Sequence, residues 1–372
     1  MRIAYYMPFK PLGHPVPSGD LIIGSELGEH LAGRGHTVTL VSRLRARWIF
    51  WKPWRQFQVP IERLRILRQA RSFRPQLWLT YHTYYKAPDL LGPVCAGRLG
   101  IPYVVFQGIY ATRPSKHWIT RRGFTCNAAA LNAAAMVFTN KRNDETNLRR
   151  LVPAERLCYV PPGIRPQAFQ HDPRARRELR RAWGVAGDFP VVLSAAMFRP
   201  GVKTEGLRQV IHACKNLRAS GRPLRLVICG DGPRRAALES EARRSGLADT
   251  LFGGRIPRGE MARYYSAADI FAFPGIREGL GMVYLEAQAA GLPVVAHGVW
   301  GAGEVVADGV TGWLSDPSRP ETFTQGIGRL LGDPALRCRM GVAAAAHVRR
   351  SHDLEANYGP LNDILERLVA GT

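Results

Sequence analysis

Short apolar runs recur along the chain. Each is followed by a glycine-bearing turn and then by a stretch with apolar residues every three or four positions. That alternation predicts strands and helices in turn, the pattern of a doubly wound parallel sheet. Arg2–Met7, Thr37–Ser42, Leu77–Tyr81, Tyr103–Phe106, Met136–Thr139 and Leu157–Val160 read as strands of a first domain. Val191–Ala196, Leu224–Cys229, Thr250–Phe252 and Asp269–Phe273 repeat the pattern. Between them lie helical stretches. In Asp20–Gly33, Ile23, Leu27 and Leu31 share one face and Ser18 or Asp20 caps the start. Ala87–Leu99, Asn127–Ala135, Asp172–Trp183 and Glu205–Ser220 are read in the same way, and Pro320–Leu331, Pro334–Ser351 and Leu354–Leu368 end the chain. The turn-rich run from Pro8 to Gly19 follows the first strand without a G-x-G-x-x-G fingerprint.

The stretch Pro274–Ala296 reads as a loop, a helix, a break and a buried strand. Glu278 and Glu286 lie eight residues apart, with Gly279, Leu280 and Gly281 after the first. A helix beginning near Gly281 puts Glu278 just outside its N-terminus and Glu286 inside it, roughly 12 Å further along the axis. The helix N-terminus between them offers N–H groups to a phosphate. The bland alternative is a surface helix with two solvated glutamates. Glycines also close other strands of this half, at Gly230, Gly232 and Gly254. Together they suggest one ligand reaching across several loops.

A length of 372 residues suits two domains, and 46% hydrophobic residues suffice for two cores. The expected division is 1–163, a charged linker 164–188, 189–350, and a last helix 351–372. The six cysteines are scattered without a C-x-x-C pair, so a reduced cytosolic compartment is expected. The first residues lack a signal-peptide layout, and no apolar run approaches a membrane span. The net charge of +23 is unevenly placed: residues 1–150 hold 23 Lys and Arg against 7 Asp and Glu. Such an excess points to an anionic partner. Residues 43–74 carry ten basic side chains against Glu62 alone, with Trp48, Trp51 and Trp54 at three-residue spacing. That spacing puts the tryptophans on one side of a helix, unless Pro53 ends it. Arg113, Lys116, Trp118, Arg121 and Arg122 form a second such cluster within 113–122. Tryptophan beside arginine suits an anionic membrane surface. An anionic acceptor groove, a core role for the indoles and a solvated basic face are the other readings.

The run EGLGMVYLEAQAAGLPVVA resembles the E-x7-E signature of the retaining glycosyltransferases of family 4. Gly230-Asp231-Gly232-Pro233, Gly253-Gly254, Trp300–Val306 and Asp308–Leu314 resemble further turns of that family, in family order. The resemblance implies an α/β GT-B fold, two doubly wound Rossmann-like domains facing a central cleft, with the last helix returning to the first domain. It places Glu278 by the donor sugar, Glu286 on the ribose hydroxyls, and Gly279, Leu280 and Gly281 by the diphosphate. Gly230, Gly232 and Gly254 would border the donor, and Gly19 the loop between acceptor and diphosphate. His82 matches a histidine that often ends the corresponding strand. Gln107 stands where many relatives carry histidine; it hydrogen-bonds but transfers no proton. Lys203 matches the family's lysine for the leaving diphosphate, while the arginine position holds Phe198, with Arg199 one residue later. Pro162 replaces asparagine in the family's hinge-like turn.

With no D-x-D and no metal-ligand spacing, transfer without metal is expected, cations and helix dipoles serving instead. No cofactor is expected, the nucleotide-diphosphate sugar being a substrate. Retention of configuration is implied by the family alone. The expected acceptor is lipid-linked or an anionic glycan, in polysaccharide, lipopolysaccharide or glycolipid assembly on the cytosolic membrane face. No nucleic-acid partner is expected. The rival functions are a sugar-nucleotide epimerase on the same fold and a non-catalytic basic protein binding nucleic acid or membrane.

Overall fold

In the computed structural model, residues 1–14 and 18–371 are described. Pro15, Val16 and Pro17, part of the expected turn-rich loop, lie outside them. The first sheet contains β1 (Arg2–Tyr6), β2 (Thr37–Ser42), β3 (Leu77–Thr83), β4 (Tyr103–Gly108), β5 (Met136–Thr139) and β6 (Leu157–Tyr159). They run parallel in the order β2-β1-β3-β4-β5-β6. The second contains β7 (Val191–Ala195), β8 (Arg225–Cys229), β9 (Leu251–Gly254), β10 (Ile270–Ala272), β11 (Val294–His297) and β12 (Gly312–Ser315). Its parallel order is β12-β11-β10-β7-β8-β9. Helices cover both faces of such sheets, so the strands read as nearly unbroken apolar runs. Ile3, Leu77, Val104, Val137, Val192, Ile228, Ile270 and Val294 have no exposed surface. Each such side chain stabilises its core by about 1.5–3 kcal/mol.

Strand order determines where ligands are met. In the first sheet the chain leaves β1 to one side and returns to the other at β3; in the second it does so at β7 and β10. Doubly wound sheets open a crevice beyond the carboxyl ends at such a switch.

Two compact units result, Met1–Pro161 with Glu355–Thr372, and Pro162–Leu354. The stretch 164–188, expected as a linker, belongs to the second unit. Asp172 caps the helix Pro173–Ala182 by accepting from the N–H groups of Arg174 and Ala175. From this helix Arg176 and Arg180 reach Asp269 at 2.7 and 3.1 Å. Arg180 is buried and also donates to the carbonyls of Ala267, Gly187 and Phe189. The charges that suggested a linker are its attachment.

The last helix, Leu354–Ala370, packs within the first unit. Glu355 lies 2.6 Å from His30 Nδ1, Asn362 lies 2.5 Å from His36 Nε2, and the Tyr358 ring meets Phe106 edge-on. Before it, residues 352–354 run beside 162–164. Ile164 N–H donates to the His352 carbonyl and Leu354 N–H to the Ile164 carbonyl. Burial pushes the His352 imidazole down to about 4, so the neutral ring is the form whose Nδ1 lies 2.7 Å from the Pro162 carbonyl. Gly163 is required here, because a Cβ would stand 2.8 Å from the Leu354 Cα.

Local departures from expectation have local causes. The helix expected from Ala87 begins at Gly92, because the Asp89 carboxylate takes the N–H groups of Leu91 and Gly92. The helix expected from Asn127 already begins at Trp118. Trp48, Trp51 and Trp54 do not share one helix. Trp48 is left-handed, Ile49–Trp51 is a 3-10 turn, and Pro53 starts a new helical turn after a non-helical Lys52. Among the described residues no helix is long and apolar enough to cross a membrane.

Candidate functional site

At the switch of the second sheet, the loop after β7 faces the loop after β10. Lys203 Nζ forms an ion pair with Glu278 Oε2 and lies 5.2 Å from the centre of the Phe273 ring. Lys203 is the second residue of the helix Val202–Ala219, whose N-cap is Gly201 at φ 94°. A cation therefore stands at a helix N-terminus, where backbone N–H groups without intrahelical partners add positive potential. The loop holding it is pinned. Phe198 N–H donates to the Asp231 carbonyl, Arg234 N–H to the Phe198 carbonyl, and Thr204 Oγ1 to the Arg199 carbonyl.

The GDGP glycines have a structural task. A Cβ on Gly230 would come within 1.9 Å of the Ala196 carbonyl oxygen, and one on Gly232 within 2.7 Å of the Phe198 oxygen. Their missing side chains make room for the lysine-bearing loop. Gly254 adopts φ 72°, and its carbonyl accepts from Gly230 N–H. Phe198, at the expected arginine position, is wholly buried with its ring edge-on to Phe252. Arg199 is exposed, and among the described residues it has no ion-pair partner.

The loop after β10 winds around Tyr284, which is fully buried and donates to the Phe273 carbonyl. A Cβ on Gly275 would meet its hydroxyl and one on Gly281 its ring. Gly281, at φ 69°, is the N-cap of the helix Met282–Ala289. Glu278 therefore lies before the helix and Glu286 is its fifth residue, as the spacing predicts. Gly279 is exposed and Leu280 buried. The two glutamates have separate partners. Glu286 is buried, with Arg258 Nε 2.7 Å from Oε1 and the Tyr265 hydroxyl 3.1 Å from Oε2. Sequence reasoning missed Arg258 and Tyr265, because neither belongs to a local pattern with Glu286.

At the switch of the first sheet, His82 and Gln107 occupy facing positions on β3 and β4. Both are buried, and both have φ 62°. His82 does not follow its strand, since the ladder resumes with Thr83 opposite Gly108. Left-handed backbone at non-glycine residues stores about 1–3 kcal/mol each and gathers at functional sites. Gln107 Oε1 accepts from the Tyr81 hydroxyl at 2.9 Å. His82 Nδ1 lies 3.0 Å from Asp20 Oδ1, beside the Phe9 ring. Burial alone would raise the Asp20 carboxyl, but His82, with Lys141 and Lys10, outweighs it and holds it below its ordinary value. Gly19 opens the helix that carries Asp20. The sequence offered Asp20 only as a cap.

The two basic-aromatic clusters of the first unit join. Trp51 Nε1 donates to the Ile119 carbonyl at 3.1 Å, and the Trp51 and Trp118 rings meet edge-on at 5.3 Å. Trp54, Phe57 and Trp118 are 64%, 74% and 76% exposed. On the helix Gln58–Phe73, Val59, Ile66 and Ala70 face the core. Ile61 and Leu64 lie exposed on the opposite face, followed there by Arg68.

The family described as glycosyl transferases group 1 matches residues 175–347. A D-inositol 3-phosphate glycosyltransferase of Acidothermus cellulolyticus is 30% identical over 331 residues, 82% of this chain and 72% of that protein. The chain belongs to the group 1 glycosyltransferases. This group 1 glycosyltransferase is also 38% identical over 199 residues to a GDP-mannose-dependent alpha-(1-6)-phosphatidylinositol monomannoside mannosyltransferase of Mycolicibacterium smegmatis. It spans about half of that relative, 51% of either chain. The solved sucrose-phosphate synthase of Thermosynechococcus elongatus matches it over 100% of both chains, with a TM-score of 0.76 at 22% identity. That likeness is one of fold, and the fold is GT-B. Among the described residues of this group 1 glycosyltransferase, no three His, Cys, Asp or Glu side chains gather to hold a metal ion.

Proposed function

We propose that this chain transfers a sugar from a nucleotide-diphosphate sugar to a lipid-linked or anionic acceptor. The observation that carries the proposal is Lys203, held at a helix N-terminus beside Glu278 at the second sheet's switch. The departing nucleoside diphosphate gathers negative charge, and a fixed cation with aligned N–H groups stabilises it. Arg199 adds a second cation, Glu278 serves beside the donor sugar, and Glu286 accepts from the ribose hydroxyls. In the first unit, His82 and Gln107, buried and left-handed at the sheet's switch, are the proposed substrate contacts. Transfer proceeds without metal, because these cations do the neutralising. It proceeds with retention, by front-face attack of the acceptor hydroxyl assisted by the leaving phosphate. The relatives' names support a phosphate-bearing acceptor, a phosphatidylinositol mannoside in one and D-inositol 3-phosphate in another.

The donor is tested first, by thermal shift with UDP-, GDP-, ADP- and CDP-sugars and no added metal. GDP-mannose leads the series on the name of the Mycolicibacterium smegmatis relative. One base is expected to raise the melting temperature saturably, and Glu286→Ala to abolish most of that rise. No response to any nucleotide would overturn the proposal. An NMR assignment of an inverted product anomer would overturn retention.

The acceptor proposal rests on the exposed patch of the first unit. Trp51, Trp54, Phe57 and Trp118 would enter the headgroup layer of the membrane's cytosolic face, with Arg68, Arg121 and Arg122 meeting anionic lipid. The protein is expected to sediment with vesicles containing about a third phosphatidylglycerol, and less so at high salt. Replacing Trp54, Phe57 and Trp118 together by serine is expected to lower partitioning at least tenfold, since full burial of one such side chain is worth about 1.5–3 kcal/mol. Equal partitioning of the triple variant would exclude this face.

A further inference from the structure

We propose that Arg258 is a positioning residue that holds the Glu286 carboxylate in place to receive the ribose hydroxyls of the donor; this rests on the ribose role given to Glu286 above. The Glu286 side chain is 5% exposed and its carboxylate meets a donor at each oxygen, Arg258 Nε at Oε1 and the Tyr265 hydroxyl at Oε2. Arg258 stands in the 3-10 turn Arg258–Glu260, outside the helix that carries Glu286. Its guanidinium lies 5.2 Å over the ring of Phe169, a buried residue of the turn Pro166–Phe169. Tyr265 is fully buried, with its ring 6.4 Å from that of Phe169. Burial, with the Glu286 charge beside it, pushes the Tyr265 hydroxyl well up, so it stays a donor.

Glu286 is thereby held by groups from two directions, each fixed by packing. A buried carboxylate needs a cation to remain ionised, and an ionised one accepts hydroxyl donors most strongly. Each carboxylate oxygen accepts up to two hydrogen bonds, so one oxygen can take a hydroxyl as well as a guanidinium. The rigid fork of arginine also fixes the angle of its partner, which a lysine ammonium does not.

The test compares two ligands, the nucleoside diphosphate whose sugar gives the largest wild-type shift and its 2′,3′-dideoxy analogue. Affinities are measured by calorimetry for wild type, Arg258→Ala, Arg258→Gln and Arg258→Lys. Wild type is expected to prefer the ribonucleotide. Arg258→Ala and Arg258→Gln are expected to weaken the ribonucleotide about tenfold or more while leaving the dideoxy analogue unchanged. Arg258→Lys should restore part of the difference. Circular dichroism and the melting temperature check folding, and Arg258→Gln carries the test if the alanine variant does not fold. Equal loss for both ligands would make Arg258 merely structural, and no loss, or tighter ribonucleotide binding, would equally overturn the proposal. A wild type blind to the ribose hydroxyls would remove the role of Glu286. A wild type that binds no nucleotide would remove the glycosyltransferase reading itself.

Discussion

Lys203→Ala is expected to lower kcat/KM for sugar transfer by about 10²–10³-fold, the effect of removing one preorganised charge stabiliser worth about 2.7–4 kcal/mol. Two consequences add. The cation at the helix N-terminus is lost, and the Glu278 carboxylate stays behind without its ion-pair partner. That residual charge would repel the incoming diphosphate. The double variant Lys203→Ala, Glu278→Gln is therefore expected to bind donor better than Lys203→Ala alone, though neither regains the rate. Lys203→Arg is expected to fall between, with charge kept and geometry altered. Lys203 is partly exposed, so the melting temperature should hardly move. Steady-state kinetics with the donor from the shift screen decides this. A rate within threefold of wild type would remove Lys203 from the chemistry.

The second large effect is on folding. Asp269→Ala is expected to destabilise the second unit by about 3–5 kcal/mol. Its carboxylate meets Arg176 and Arg180 and accepts the Val191 N–H at 2.8 Å. Removing it leaves the buried Arg180 charge without its carboxylate and frees the helix Pro173–Ala182 from the start of β10. Asp269→Asn keeps an acceptor for the N–H and is expected to cost less. Urea unfolding followed by circular dichroism measures it, taken as two transitions because each unit has its own core. A change under about 1 kcal/mol would mean that the helix contributes little to that unit.

Alternating apolar runs and glycine turns predicted both sheets, since a parallel strand buried on both faces must be apolar throughout. The stretch from Pro274 likewise read as a loop and a helix starting near Gly281 with Glu286 inside it, because a helical repeat is a local property of the chain. Tertiary structure decided the partners. Arg258 and Glu286 are 28 positions apart, Lys203 and Glu278 are 75, and Arg180 and Asp269 are 89. No periodicity links such positions, and a charge in sequence does not show whether it will meet water or a carboxylate. Thus residues 164–188 read as a linker although their arginines attach them to the second unit. The glycines of the GDGP turn read as bordering a ligand; only the fold shows that a neighbouring loop also takes the space a side chain there would need. The tryptophans show both levels at once. Their spacing and the arginines around them were visible in the chain, but only the folded backbone, broken at Pro53, put Trp51 against Trp118 and left Trp54 and Phe57 in solvent. Sequence determined which segments become strands and helices, because that depends on neighbours a few residues away. The fold alone decided which charges neutralise one another, because that depends on distances that exist only once the sheets have formed.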